Sequence, residues 1–296
     1  MLTDILQNDF DVYLYFVFGE HLDNNSKYTN LPITNELVNS IKEICREYTS
    51  KIENLDQIED YNIVGANESI IESYDLNNNF MGLPNINALF TNTNRLVNIQ
   101  DDELRDYRYF IIEVILNEEH FYFIRKPFKP GMLKEGKILS RQRGQFGWVQ
   151  ESDLIAFDDK IDMIISDENI LIFNRSSFEH AYNFSAIYDY LSFKVLENQT
   201  LKDNIQNFDE LVIDIDGTET LKRKVASLYN KQNICLFLNK IDVTKKINVD
   251  YNLNLTFDGN QIVYEEKSQA KHIIELMQDA YYETYIGEEQ GTDSRR

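Results

Sequence analysis

The sequence predicts an α+β fold in which mixed sheets are built from β-hairpins and flanked by amphipathic helices. Three observations predict it. Strand-like and helix-like runs follow one another irregularly, without the regular β-α-β order of a doubly wound sheet. Short polar turns, Asn117-Glu118-Glu119 and Asp258-Gly259-Asn260, separate apolar runs of strand length. Elsewhere apolar residues recur at intervals of three and four, which places them on one stripe of a helix.

In chain order, residues 11–19 (DVYLYFVFG) are a β-branched and aromatic run with the length of a buried strand, closed by Gly19. Thr34 can cap a helix that carries Leu37, Ile41, Ile44 or Cys45, Tyr48, Ile52 and Leu55 on one side. Residues 62–73 read as a short strand, a turn and a second apolar segment, Asn77-Asn78-Asn79 as a loop, and 84–96 as a short helix. Residues 109–116 and 120–124 form a hairpin. Pro127, Pro130, Gly131 and Gly136 then interrupt regular structure, so the basic residues among them fall on a loop or distorted edge before Trp148 and Val149 re-enter the core.

A second hairpin joins 160–165 to 170–174 through Ser166-Asp167-Glu168-Asn169. Asn174 or Ser176 can cap a helix whose apolar spacing runs from Phe178, Ala181, Tyr182 and Phe184 to Leu196. Helices are expected over 201–208 and 218–229, a strand over 234–238, a hairpin over 251–264 and a last helix over 268–285. The expected division is an N-terminal α+β domain over 1–118, a second α+β domain over 119–287, and a frayed tail over 288–296.

A chain of 296 residues with 43% apolar and 12% aromatic content buries a sizeable core, which excludes wholesale disorder. No apolar run approaches the ~20 residues that span a bilayer, and Asp4 and Asp9 interrupt any targeting segment at the start, so a cytoplasmic position is expected. Cys45 and Cys235 stand alone in apolar company, as free thiols do in a reducing compartment. The net charge of −21 repels phosphate backbones at long range, so any nucleic-acid contact has to be local.

One stretch answers that requirement. Arg125, Lys126, Lys129, Lys134, Lys137, Arg141 and Arg143 face a single acid, Glu135, within nineteen residues. Cations on an irregular segment suit a row of phosphates, and Phe128, Phe146 and Trp148 could add stacking. A segment that pairs with the protein's own acids, or with an acidic partner subunit, explains the same charges. Lys222, Arg223 and Lys224 make a second, weaker patch on a helix face.

Other constellations carry less. Leu211-Val212-Ile213-Asp214-Ile215-Asp216-Gly217-Thr218 resembles the nucleophile motif of haloacid dehalogenase-like phosphatases, but no Gly-Asp pair with a further Asp follows to complete a Mg²⁺ site. A short strand and a helix-capping Thr explain those letters. Asp158, Asp159, Asp162, Asp167 and Glu168 lack the Lys-containing companion strand of a metal-dependent nuclease and read as turn and edge acids. His21, His120, His180 and His272 have no ligand spacing. No catalytic residue, metal or cofactor is expected.

From Gly144 to Phe184 the order of Gly144-Gln145-Phe146, Asp159-Lys160-Ile161-Asp162, Ile170-Leu171-Ile172-Phe173-Asn174-Arg175 and Phe178-Glu179 resembles the KwaB-like proteins of the Kiwa anti-phage defence system. The similarity is clearest over 121–230 and fades in the N-terminal third. The resemblance implies a cytoplasmic effector that contacts double-stranded DNA without catalysis. It also implies a membrane-embedded KwaA-like partner, which recruits the effector to the inner face of the membrane, and a homodimer or larger assembly. On charge and placement, the expected DNA contacts are Lys134, Lys137, Arg141 and Arg143 first, then Arg125, Lys126 and Lys129. The alternatives are an acidic interaction subunit that docks a partner without nucleic acid and, third, a metal-dependent phosphatase or nuclease.

Overall fold

A computed structural model describes residues 2–23, 25–30, 32–53, 58–64, 70–79, 81–86, 96, 107–127, 138–142, 145–149, 159–283 and 290–292. The chain divides into two compact units, Met1–Tyr61 with Glu68–Asn183 and Asn62–Asn67 with Phe184–Arg296. Helices and mixed sheets occur in irregular order, which is the α+β class read from the sequence. The 118/119 position, expected as a domain boundary, lies in a turn between neighbouring strands of one sheet.

The first unit opens with β1 (Asp11–Phe18) and β2 (Lys27–Asn30), followed by α1 (Asn35–Glu53). Thr34 caps α1 as expected, its hydroxyl accepting from the Leu37 amide at 3.3 Å. Ile41, Cys45 and Tyr48 point inward, and Leu37, Ile44 and Ile52 flank them. Short strands β3 (Glu59–Asp60) and β4 (Glu72–Asp75) pair in parallel. Leu55 and most of 84–96 lie outside the described residues.

The expected hairpin is β5 (Tyr109–Leu116) and β6 (Glu119–Arg125). Asn117 and Glu118 both take positive φ, 52° and 69°, the conformation of a two-residue turn whose twist matches that of the strands. Two further strands, β7 (Ile138–Gln142) and β8 (Gln145–Val149), pair as a separate hairpin where the sequence suggested a loop or distorted edge. β9 (Met163–Ile165) and β10 (Asn169–Ile172) form the second expected hairpin, and α2 (Arg175–Ala181) follows. Of the two proposed caps it is Asn174 that acts, its side chain accepting from the Ser177 amide.

The main sheet runs β2-β1-β5-β6-β9-β10-β4-β3. Alternation along the strands sends Leu14, Phe16, Phe110, Ile112, Phe121 and Phe123 to one face, where they pack with Ile41, Cys45 and Tyr48 of α1. β5 is buried along nearly its whole length, as befits a central strand.

The second unit contains α3 (Phe184–Leu196), α4 (Gln199–Asn204), β11 (Ile205–Gln206), α5 (Phe208–Asp216), α6 (Glu219–Ala226), α7 (Leu236–Asn239) and α8 (Ile241–Asp250). It continues with β12 (Thr256–Asp258), β13 (Gln261–Val263), α9 (Lys267–Met277), β14 (Tyr281–Glu283) and β15 (Gln290–Thr292). Leu201, Leu211, Ile215, Val225, Phe237, Ile262, Ile273 and Ile274 meet in its core.

Several expectations change here. The helix expected from 178 to 196 breaks at Asn183, which takes φ 53°, a left-handed conformation that asparagine tolerates. The helix over 201–208 stops at Asn204 because Ile205 turns extended to pair with Ile262. Residues 211–216 are helical, since Leu211 and Ile215 are one turn apart and both fill the core. The strand expected at 234–238 is a turn through Asn233, φ 67°, and the short helix α7. The last helix ends at Met277, where Asp279 goes left-handed. Tyr281–Glu283 then pairs with Gln290–Thr292 from the segment expected to fray.

Candidate nucleic-acid interface

The basic segment springs from the end of β6, and its root is described in atomic detail. Arg125, the last residue of that strand, is buried. Its guanidinium meets the Asp162 carboxylate at 2.7 Å, and Asp162 is only 1% exposed. The other carboxylate oxygen accepts the Lys126 amide at 2.7 Å. The Asp162 backbone completes the junction: its carbonyl accepts from Phe173 and Asn174, and its amide donates to Ile124. One acid thus ties β6, β9 and the cap of α2 together.

This corrects the reading of two residues. Arg125 was expected at a phosphate, but its charge is spent inside the sheet, where removing a charge from water is offset only by a close partner. Asp162 was considered with the surface acids and is the buried counter-ion instead. Asp159 is exposed, as an edge acid should be.

Lys126 is half-buried at the end of the strand, and its pKa is lowered by burial first and by the nearby Arg108 charge, with Asp162 and Glu20 opposing. Among the other candidates, Arg141 lies on β7 with its Cα opposite Phe146 in the β7–β8 register. Lys129, Lys134, Lys137 and Arg143 lie outside the described residues, as do Asp158, Phe128 and the side chains of Arg141, Phe146 and Trp148.

The second basic patch is committed elsewhere. Lys222 is ion-paired with Asp189, Lys224 reaches Glu275 at 3.6 Å, and the Arg223 guanidinium lies 5.1 Å from the Tyr188 ring centre. A cleft of about 550 Å³ in the second unit is bordered by Lys194 and Lys231, but they are held by Glu197 and by the Gln278 carbonyl.

The phosphatase-like motif has lost its setting. Asp214 and Asp216 sit on α5 two residues apart, about 200° around the helix, and the Asp214 carboxylate accepts the Tyr264 hydroxyl at 2.6 Å. Thr218 stands at the start of α6 as expected but makes no side-chain capping bond. Among the described residues no group of three His, Cys, Asp or Glu could hold a metal ion.

Sequence spacing concealed one cluster. His21 and His180 are far apart in the chain, yet their ring centres are 5.3 Å apart and the His21 Nδ1 donates to the His180 carbonyl at 2.7 Å. Burial, then Lys126 and His21, lower the His180 pKa. Only the pairing of β5 with β6, which sets Phe110 opposite Arg125, brings Arg108 and Lys126 to the same end of the sheet.

No helix among the described residues is long and apolar enough to cross a membrane. Comparison with curated proteins and with solved structures finds no match. A family model described as Kiwa protein KwaB-like matches residues 104–287, from just before β5 through both β-hairpins of the basic region and nearly all of the second unit; the chain belongs to the KwaB-like family.

Proposed function

We propose that this chain is a non-enzymatic effector of Kiwa that contacts double-stranded DNA through the basic segment 125–143 and works with a membrane-embedded KwaA-like partner. A role in Kiwa anti-phage defence follows from the family. The observation that carries the DNA reading is the concentration of six cations in the eighteen residues that follow the buried Arg125, in a chain with net charge −21. In such a field a local positive feature is where a polyanion can approach. The Arg125–Asp162 pair supports it by fixing where the segment leaves the sheet.

Lys134, Lys137, Arg141 and Arg143 make the principal phosphate contacts in this reading, with Lys126 and Lys129 next to them and Arg125 holding the root from below. A homodimer or larger assembly would place two such segments along one duplex. The test is a variant with those four principal residues changed to Glu. It should lose duplex binding while keeping the wild-type unfolding midpoint; retained binding would remove the segment from the interface.

A second reading has its own observation. The outward side of α1 exposes Glu36, Glu43 and Glu47, an acidic helix face suited to a basic partner subunit. Changing these three to Lys should leave DNA binding intact. If it also abolishes assembly with the membrane partner, α1 is the docking face.

A further inference from the structure

The end of the main sheet where the basic segment begins brings two cations and two imidazoles together from four places in the chain. Lys126 follows β6, Arg108 precedes β5, and His180 stands in the last turn of α2 with His21 from the β1–β2 loop against it. Backbone bonds fix the arrangement: Leu22 donates to the Ala181 carbonyl at 2.6 Å, Arg108 to the Val17 carbonyl at 2.8 Å, and the Tyr109 hydroxyl to the Glu20 carbonyl at 2.7 Å. Arg108 is exposed and the other three are half-buried, so the cluster opens to solvent on a rigid base.

We propose that Lys126, Arg108, His21 and His180 form a phosphate-binding site at the foot of the basic segment. The inference rests on the DNA-contact reading and names a seat for one phosphate of that ligand.

The chemistry of the imidazoles supports it. The His21 ring spends Nδ1 donating to the His180 carbonyl, and the two rings lie against each other with their centres 5.3 Å apart. In a neutral ring the second nitrogen is an acceptor that repels a phosphate oxygen, and in the charged ring it becomes a donor. Burial, Lys126 and the neighbouring His21 oppose the charging of His180, while a bound phosphate supplies the counter-charge that favours it. Binding and protonation are therefore coupled, and affinity rises as pH falls through the histidine range.

The acids nearby set the competition. Asp162 is committed to Arg125 and the Lys126 amide. Glu20 and Asp23 of the β1–β2 loop face the same end of the sheet and are the carboxylates a phosphate must outcompete. The same ligand chemistry could come from a phosphodiester within a DNA strand or from a phosphate monoester, whether terminal or free.

The test is nuclear magnetic resonance of the histidine rings in the full chain, titrated with pH in chloride and in inorganic phosphate at matched ionic strength. Phosphate should raise the midpoints of His180 and His21 and leave His120 and His272 where they were. Lys126→Ala should raise the His180 midpoint without phosphate and abolish the phosphate effect, and Lys126→Arg should restore it. A His180 midpoint that phosphate moves no more than that of His272 overturns the site. Two further arms use duplexes with and without a 5′-phosphate. A response to both identifies a backbone phosphate, and a response to the phosphorylated duplex alone identifies a monoester. A response to inorganic phosphate but to neither duplex keeps the site and removes the DNA-contact reading. Duplex binding with a silent His180 does the reverse.

Discussion

Asp162 shows how much a single residue decides in this chain. Its carboxylate holds the buried Arg125 and the Lys126 amide, each at 2.7 Å. Asp162→Ala removes the carboxylate 2.7 Å from the buried Arg125 guanidinium and should cost about 3–5 kcal/mol in urea unfolding. A double Arg125→Met, Asp162→Leu variant should cost less than the single change, because no charge remains buried. A single variant within about 0.5 kcal/mol of wild type would show that the pair is not a buried tie.

His180 carries the pH dependence that belongs to this scale. Its pKa is lowered in the folded chain, so the unfolded chain takes up the proton first as pH falls. The stability it contributes is full above the ordinary histidine value near about 6.5 and is lost as pH drops through its lower folded value. His180→Gln should therefore flatten the decline in unfolding free energy between about pH 7 and about pH 5; an unchanged slope would contradict the assignment. Neither role could be read from spacing. Arg125 stands in a run of basic residues and carries no mark of burial, and the partners of His180 reach it through strand register.

At the scale of elements, legibility followed local chemistry. The β5–β6 hairpin, the β12–β13 hairpin and the Thr34-capped α1 were all readable, because each combines a turn or cap residue with a clean apolar period. The failures share a cause. Val212, Ile213 and Ile215 have the β-branched composition of a strand, yet Leu211 and Ile215 are a helical turn apart and tertiary packing wins over propensity, at the expense of leaving Ile213 69% exposed. The ends of α2 and α9 depend on Asn183 and Asp279 adopting positive φ, which only tertiary context selects.

Two predictions belong here. Asn174→Ala removes the cap of α2 and should cost about 1 kcal/mol in chemical denaturation, with Ser176→Ala near neutral. The reverse order would make Ser176 the cap. Asp214→Asn removes the charge that accepts the Tyr264 hydroxyl and should cost on the order of 1 kcal/mol, with duplex affinity and defence unchanged. Loss of defence at wild-type stability would reopen the phosphatase reading.

For the whole molecule, the governing fact is a net charge of −21 with a quarter of the basic residues in one segment. The α+β class and the family were legible because irregular element order and a run of structural motifs identify a fold. The division into two units was not, since the partner strands of β5 lie on both sides of the expected boundary at 118/119. The basic segment was legible as charge but not as geometry: composition reveals where cations concentrate, while register decides that Arg125 turns inward and that Arg108 and Lys126 come to one end of the sheet.

The most direct measurement is the affinity of the full chain for a labelled duplex across a salt series, beside the variant with Lys134, Lys137, Arg141 and Arg143 changed to Glu. The wild type should bind with a log-log slope that corresponds to several phosphates, and the variant should lose both affinity and slope. A wild-type chain that fails to bind at low salt would contradict DNA contact by this protein.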